Sequence, residues 1–375
     1  MSCHVIANVP YIFQGIVPRC HVTSLQMILE FYGKKYSPSY LMNLSGFNYG
    51  FNYFKVNNFA FACPETPLGP SGFMTYAAEK LGSKTSLVKD KPWRETWSLL
   101  KQYVDKNIPV YMPLLNMQHL WKTPHPIPHI VVLCGYDEEK GTVMINDPAL
   151  GEIGEGIQYL GPNGLSEGKS GSYAEFEVAD FEKACDLRGT PWHGFGVNGV
   201  CIIYPPTSSP SISWAEILDR NAKLTLGHID EVIGVNVNAG NISGPEGIID
   251  FAADLEKGFE LLGNSKDLIA LLGGLIRNVT FNIGSSYKID AHAFVAGLAS
   301  VTGSQDLAKA SYYLRRTALC YEKALAQIDF MMHNQPVSQE ILKVSLNRIS
   351  KLLREAAEHE RKSGKSLSSG SKTLA

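Results

Sequence analysis

The segment CHVTSLQMILEFYG, residues 20–33, decides much of the fold. Its regularly spaced apolar side chains are Val22, Leu25, Leu29 and Tyr32. They recur at about 3.6 residues, the period of a helix with one buried face. A glycine such as Gly33 is a common helix terminator. The pattern therefore predicts a core helix whose first residue is a cysteine.

Cys20 is a candidate nucleophile because of that position. At a helix N-terminus, the free backbone N–H groups and the macrodipole favour a negatively charged thiolate. Most free cysteines only fill space in a core, so the position alone leaves a packing role open. A second group that can activate the thiol is needed to decide between the two.

The run HIVVLCGY, residues 129–136, is typical of a buried strand, and residues 142–146 return as a second strand after a turn. If the two strands form a hairpin centred on Glu138, His129 and Asp147 are equally far from the turn. Their Cβ atoms would then lie ~5 Å apart on one sheet face. An aspartate there orients the imidazole and stabilises its charged form beside a thiolate, although the pair could also simply close the hairpin.

Gln14 lies six residues before the cysteine, in the segment that enters the predicted helix. A side-chain amide in that place can donate hydrogen bonds to a developing oxyanion. A lone glutamine in a loop is more often solvated. The functional interpretation therefore depends on the whole set, in the order Gln, Cys, His and Asp.

Three separated segments together resemble a known family. They are VPYIFQ at 9–14 followed by the cysteine helix, HIVVLCGYD at 129–137, and INDPALG at 145–151. These resemble the nucleophile, histidine and aspartate motifs of the bacteriocin-processing peptidases, a papain-like family, over roughly residues 5–205. The resemblance implies an α+β, papain-like cysteine protease fold.

The same resemblance implies the site residues. The family's Cys, His and Asp triad falls on Cys20, His129 and Asp147, and its oxyanion glutamine falls on Gln14. One position departs from the family, because His21 stands where a glycine usually follows the nucleophile. That side chain could alter the backbone approach to the oxyanion or supply a second imidazole.

The chain shows no transporter domains, and its second half has helical periodicity almost throughout. This architecture is similar to that of the butirosin-biosynthesis acyltransferase family. Two segments, GPEGI at 244–248 and the segment from Gly284 to Phe294, resemble the helical part of that family. In that family a cysteine takes an aminoacyl group from a carrier-protein thioester and passes it to an amine. The expected substrate is thus a small acyl or peptide group, with a carrier-protein thioester as a possible partner.

Three function classes follow. Acyl transfer from a thioester to an amine is the preferred interpretation, and hydrolysis by a papain-like cysteine peptidase or amidase is the alternative. A non-catalytic binding module is a second alternative, which the complete Gln/Cys/His/Asp set argues against. Transfer and hydrolysis share one acyl-enzyme and differ only in the nucleophile that resolves it.

The Pro/Ser-rich segment at 204–211 predicts a linker between two domains. We expect a papain-like catalytic domain at 1–206, an all-α helical domain at 212–362, and a disordered tail at 363–375. The expected helices of the second domain are at about 245–262, 266–280, 288–301, 304–333 and 338–362.

Composition excludes several other classes. The formal net charge is −2 and no basic stripe is present, so we expect no nucleic-acid partner. No run reaches the ~18 apolar residues of a membrane span, no signal sequence is evident, and the seven cysteines are scattered. These features indicate a cytoplasmic protein that does not bind membranes.

No cofactor is expected, since the sequence contains neither a phosphate loop nor a dinucleotide fingerprint. His119, His125 and His129 lie close together in sequence, which raises the question of zinc. Prolines at 124, 126 and 128 exclude a helical pair of ligands there, so no metal is expected either.

Overall fold

The computed structural model describes residues 3–15, 19–56, 59–63, 69–122, 127–150, 170–188, 190, 198–233, 241–261, 272–334 and 337–375. The chain forms two compact units. The first consists of Met1–Leu41 and Leu68–Ile212, and the second of Met42–Pro67 and Ser213–Ala375.

The elements up to residue 203 are, in chain order, β1 Cys3–Val5, α1 Cys20–Phe31, α2 Pro38–Ser45, β2 Asn52–Val56, β3 Phe59–Cys63, α3 Gly69–Lys80, β4 Thr85–Val88, α4 Trp93–Asp105, β5 Val110–Asn116, α5 Gln118–Trp121, β6 Pro128–Asp137, β7 Thr142–Asn146, β8 Ala174–Glu177, α6 Val178–Cys185 and β9 Val200–Ile203.

The later elements are α7 Trp214–Leu226, α8 Ile229–Ile233, β10 Asn241–Ser243, α9 Gly244–Leu261, a π-helix at Leu272–Ile283, α10 Gly284–Thr302, α11 Gln305–His333 and α12 Gln339–Lys372. Four of the expected helices of this half are confirmed to within a few residues at their starts. The expected helix at about 266–280 lies partly outside the described residues.

An antiparallel sheet organises the first unit. Its strand order is β4-β9-β5-β6-β7-β8, and β1 pairs with the part of β6 that β5 does not cover. Helices α1, α3, α4 and α6 pack on these strands. Separate helices on an antiparallel sheet make this unit α+β, as the sequence predicts.

Helix α1 is the core helix that the sequence predicts, and it packs against β5 and β6. Its apolar side chains Val22, Leu25, Met27, Ile28 and Leu29 have no exposed surface. Full burial of each such side chain stabilises the fold by roughly 1.5–3 kcal/mol. This packing fixes the helix on the sheet and so fixes the position of its first residue, Cys20.

The second unit is not all-α as expected, because it contains a three-stranded sheet, β10-β2-β3, beside its helical core. In that core, α12 packs against α7, α9 and α11. Helix α7 begins with a serine cap, because the Ser213 hydroxyl accepts a hydrogen bond from the backbone N–H of Glu216 at 3.3 Å. Serine caps of this kind stabilise a helix by about 1 kcal/mol.

Residues 42–67 pack with the second unit, although the sequence analysis assigns them to the first domain. The reason is the pairing of β2 with β10, which places Phe54 opposite Asn241. A strand pair so distant in sequence leaves no local signal. The later crossing between the units, after Ile212, lies beside the expected boundary. The independence of the two units as folding domains stays a prediction.

The disordered tail expected from residue 363 is wrong as far as Lys372, because α12 continues to that residue. The glycines and serines that suggest disorder instead permit close helix packing. A Cβ atom on Gly364 would lie 2.6 Å from Leu226, and one on Gly370 would lie 2.5 Å from Leu307. Both separations are too short for real side chains, so only glycine fits there. Leu367 is fully buried between them.

Across the described part of the chain, no helix combines the length and the apolar character needed to span a membrane.

Candidate active site

Cys20 is the first residue of α1, with Arg19 as the helix N-cap. Its side chain is partly exposed, whereas the thiols of Cys134, Cys185 and Cys201 are buried. Burial raises the pKa of Cys201 to about 12 and raises the pKa of the other two as well. Among these four cysteines, Cys20 therefore combines access for a substrate with a helix N-terminus that favours a thiolate.

His129 and Asp147 form a buried hydrogen bond, with 2.7 Å between His129 Nε2 and Asp147 Oδ1. Their side chains are 5% and 0% exposed. Burial by itself would lower the pKa of His129, but the charges of Asp147 and Cys20 and the hydrogen bonds to both raise it to about 10. The histidine is thus held as an imidazolium between a carboxylate and the sulfur.

The contact also determines which nitrogen faces the thiol. Because Nε2 of His129 is bound to Asp147, Nδ1 is the nitrogen left for the hydrogen bond with Cys20. This is the arrangement in which one imidazole can exchange a proton with a nucleophile while a carboxylate holds its orientation.

The hairpin register differs from the expected one. Asp137 pairs with Thr142, and after an irregularity between Leu133 and Gly135 the pair Val132–Asn146 follows. Continuing this register places Asp147 opposite residue 131, not opposite His129. A shift of two residues keeps a side chain on the same sheet face, and a diagonal neighbour at ~7–8 Å stays within reach of a histidine ring. His129 and Asp147 therefore form their hydrogen bond in the observed register as well.

Asp147 is held by three donors. Its Oδ1 accepts the His129 bond and the backbone N–H of Ala149 at 2.9 Å, and its Oδ2 accepts Trp121 Nε1–H at 3.0 Å. Its own backbone N–H donates to the carbonyl of Gly171. A buried carboxylate with this many donors keeps a single orientation.

Trp121 is a site residue that the sequence analysis missed. It ends the short helix α5, and its ring lies 4.9 Å from the His129 ring, measured between centroids. It therefore contacts both members of the His–Asp pair and keeps them out of solvent, with only 4% of its own surface exposed. No spacing rule links Trp121 to Asp147, so only a structure could have found this residue.

Gln14 is fixed by two hydrogen bonds. Its backbone N–H donates to the carbonyl of Pro148 at 2.9 Å, and its Oε1 accepts the backbone N–H of Arg19 at 3.1 Å. Because an N–H can only donate, the oxygen end of the amide must face Arg19. The –NH₂ end remains as the donor of this amide, and Arg19, which its oxygen contacts, directly precedes Cys20. No hydrogen bond to a described residue uses the –NH₂ group.

Asn146 ties the segment before Gln14 to the end of β7. Its Nδ2 donates to the carbonyls of Val9 and Pro10, and its Oδ1 accepts the backbone N–H of Tyr173. This side chain is fully buried. Because Asn146 directly precedes Asp147, these hydrogen bonds hold the segment before Gln14 close to the candidate site.

His21 is 3% exposed. Its pKa lies well below the usual value, because burial disfavours its charged form and the positive charges of Arg19 and His129 add to that effect. Its imidazole is accordingly neutral at physiological pH. The second imidazole considered for the site is thus present but uncharged.

Of the histidines considered for zinc, His129 is hydrogen-bonded to Asp147 and His119 lies in α5, whereas His125 lies outside the described residues. In the second unit, a different group of described residues, Cys320, Glu355 and His359, brings a thiol, a carboxylate and an imidazole within 4.8 Å of one another.

Comparison with protein families gives a match to the Peptidase_C39 like family over residues 6–161. The matched range includes Gln14, Cys20, His129 and Asp147. It supports a cysteine-dependent enzyme of the papain-like peptidase type. No curated protein matches the chain.

Proposed function

We propose that this protein is a cysteine peptidase or amidase that forms an acyl-enzyme on Cys20. The observation that carries the proposal is the position of His129, which is hydrogen-bonded to Asp147 and interacts with Cys20. The family match over residues 6–161 supports a peptidase-type activity, with which hydrolysis is at least as consistent as the transfer reaction that the sequence alone favours.

The first half-reaction acylates the enzyme. The Cys20 thiolate attacks the substrate carbonyl carbon, and the carbonyl electrons move onto oxygen. The Gln14 –NH₂ group and the Cys20 backbone N–H donate to that oxyanion. As the tetrahedral intermediate collapses, the imidazolium of His129 gives its proton to the leaving amine. An acyl thioester and a neutral imidazole remain.

The second half-reaction releases the acyl group. His129 accepts a proton from water, the hydroxyl adds to the thioester carbon, and the thiolate leaves with the pair restored to its charged form. Asp147 keeps the imidazole aligned in both directions, and the Trp121 ring excludes solvent from the contact. Hydrolysis therefore returns every group to its starting state.

Transfer to an amine is the second candidate, since an amine can replace water in the second half-reaction. It is supported by the resemblance of residues 244–248 and 284–294 to the helical part of the butirosin-biosynthesis acyltransferases. In this structure the two segments begin helices α9 and α10. A carrier-protein thioester would then be the acyl donor.

Intact-protein mass spectrometry can test the common step. The full chain is incubated with aminoacyl thioesters and with short peptide amides, and acylated protein is measured over time. We expect an adduct that is lost on Cys20→Ala. The matched control Cys3→Ala, which removes an exposed thiol of the same unit, should acylate normally. An adduct that persists in Cys20→Ala would refute the assignment.

The fate of the adduct separates the two candidates. Decay at a rate independent of added amine, with free acid as product, supports hydrolysis. Decay that accelerates with amine and gives an amide supports transfer.

Gln14→Ala tests the oxyanion donor. Loss of one such donor typically costs ~2.7–4 kcal/mol, a 100- to 1000-fold fall in rate. Acylation should slow by about that factor while the thermal unfolding temperature changes little. Unchanged acylation kinetics would remove Gln14 from the site.

A further inference from the structure

A second cluster of reactive side chains lies in the helical unit. Cys320 belongs to α11, and Glu355 and His359 belong to α12. The two α12 residues are four positions apart, so they project from one face of the helix. The thiol sulfur, a carboxylate oxygen and an imidazole nitrogen all lie within 4.8 Å of one another.

His359 has a ring nitrogen that could donate its electron pair to a metal ion. Its side chain is 13% exposed, and its Nδ1 is buried with no hydrogen-bond partner among the described residues. A ring nitrogen that is buried without a partner is a costly arrangement unless that nitrogen binds something.

Glu355 keeps part of its carboxylate for a ligand. Its Oε1 accepts from Arg316 at 3.1 Å and lies 3.4 Å from His359 Nε2. No hydrogen bond to Oε2 involves a described residue. Arg316 therefore orients the carboxylate as a positioning residue would around a metal ion.

Cys320 contributes a buried sulfur, with 2% of its residue exposed. A bound divalent cation replaces the thiol proton and stabilises the thiolate directly, with one proton released to solvent.

We propose that Cys320, Glu355 and His359 form a binding site for a divalent transition metal ion, with zinc as the best fit. One thiolate, one imidazole and one carboxylate are the donors that zinc takes together, whereas magnesium and calcium require oxygen ligands. Tetrahedral zinc with bonds of ~2.0–2.3 Å separates its ligand atoms by ~3.3–3.8 Å. The observed spacing of up to 4.8 Å thus requires a contraction of about 1 Å.

The site has three protein donors, so a fourth position is left for water or another small ligand. The Glu355 side chain is 42% exposed, which gives the metal a path from solvent and gives the carboxylate freedom to move inward. The cluster is chemically separate from Cys20 and has no role in the proposed acyl transfer or hydrolysis.

Cobalt(II) binding to the full chain tests the proposal, because a cobalt–thiolate bond gives a near-ultraviolet charge-transfer band. Four-coordinate cobalt also gives visible d–d bands. The protein carries Cys20→Ser, since the thiol, imidazole and carboxylate of the candidate active site could also bind cobalt. It carries no oligohistidine tag. We expect about one equivalent of cobalt to produce both band types, and zinc to abolish them by competition.

Matched variants identify the ligands. Cys320→Ala should abolish the charge-transfer band, and His359→Gln and Glu355→Gln should weaken binding. Cys201→Ala, another buried thiol, and His333→Gln, a histidine elsewhere on α11, should leave the spectrum unchanged. Arg316→Gln should reduce cobalt affinity by about 10- to 100-fold, as positioning residues around metals do.

The proposal is overturned if the Cys20→Ser protein gives no charge-transfer band, or if the band survives both Cys320→Ala and His359→Gln. Because His359 and Glu355 are partly exposed, their glutamine variants keep the test decisive even if Cys320→Ala does not fold. Zinc should raise the unfolding temperature of the Cys20→Ser protein and leave that of its His359→Gln variant unchanged.

Discussion

Trp121→Phe isolates one hydrogen bond of the candidate active site. The substitution removes the indole N–H that donates to Asp147 Oδ2 at 3.0 Å and keeps an aromatic ring to pack on His129. Asp147 retains its bonds to His129 and to the Ala149 N–H. The carboxylate should therefore stay in place, but its Oδ2 atom should no longer be held by a hydrogen bond.

The size of the effect follows from the charge and burial of the acceptor. A hydrogen bond to a charged group contributes ~1.5–3 kcal/mol, and the Asp147 side chain has no exposed surface through which water could replace the donor. Each 1.36 kcal/mol is about tenfold in rate. If the loss is expressed fully in the transition state, kcat/KM falls by roughly 10- to 150-fold. Because the substitution does not touch the substrate, kcat should carry most of the fall.

The assay is steady-state turnover of whichever acyl substrate the mass spectrometry identifies. Trp97→Phe is the matched control, since that tryptophan stacks on Trp93 in α4 and, within the described residues, makes no ring contact or hydrogen bond with the His–Asp pair. Its kcat/KM should remain within about twofold of the unmodified protein.

A double-mutant cycle with Asp147→Ala separates orientation from general packing. If Trp121 positions Asp147, Trp121→Phe should have little further effect on kcat/KM once the carboxylate is gone. The expected coupling energy between the two substitutions is ~0.5–3 kcal/mol. Equal effects of Trp121→Phe in both backgrounds, or a kcat/KM that does not change at all, would refute the role.

Three further predictions concern reactivity, pH and the C-terminal helix. Iodoacetamide at pH 7 should modify Cys20 faster than any buried cysteine, and peptide mapping that finds equal rates would contradict its assignment as the nucleophile. The raised pKa of His129 contributes stability that is complete below its unfolded value of ~6.5 and is lost as pH rises towards about 10. Urea midpoints should therefore fall more over that range in the unmodified protein than in Asp147→Asn, and parallel curves would contradict the pairing. Leu367→Ala should destabilise the protein by ~2–5 kcal/mol because it removes a fully buried side chain, whereas Ser369→Ala on the exposed face should change the urea midpoint little. Similar midpoints for both variants would indicate that the end of α12 is not packed.

Features that depend on a local pattern can be predicted from the sequence alone. The period of 3.6 residues after Cys20 identified the core helix, and the apolar run from His129 identified the central strand of a hairpin. A hairpin brings the residues at its open end together whatever the exact turn. The contact between His129 and Asp147 was therefore predictable, although its register was not.

Features that depend on contacts between residues far apart in sequence become visible only in the folded chain. The turn lies further along the chain than a hairpin centred on Glu138 requires, so the register at the open end differs by two residues from the expected one, and Trp121 contacts Asp147 from a separate helix. The end of α12, rich in glycine and serine, is ordered by α7 and α11, which approach it closely. Hydrophobic periodicity records which face of an element is buried but does not record which partner buries it. Which elements pack against each other depends on how their side chains fit together, and this fit exists only in the folded chain.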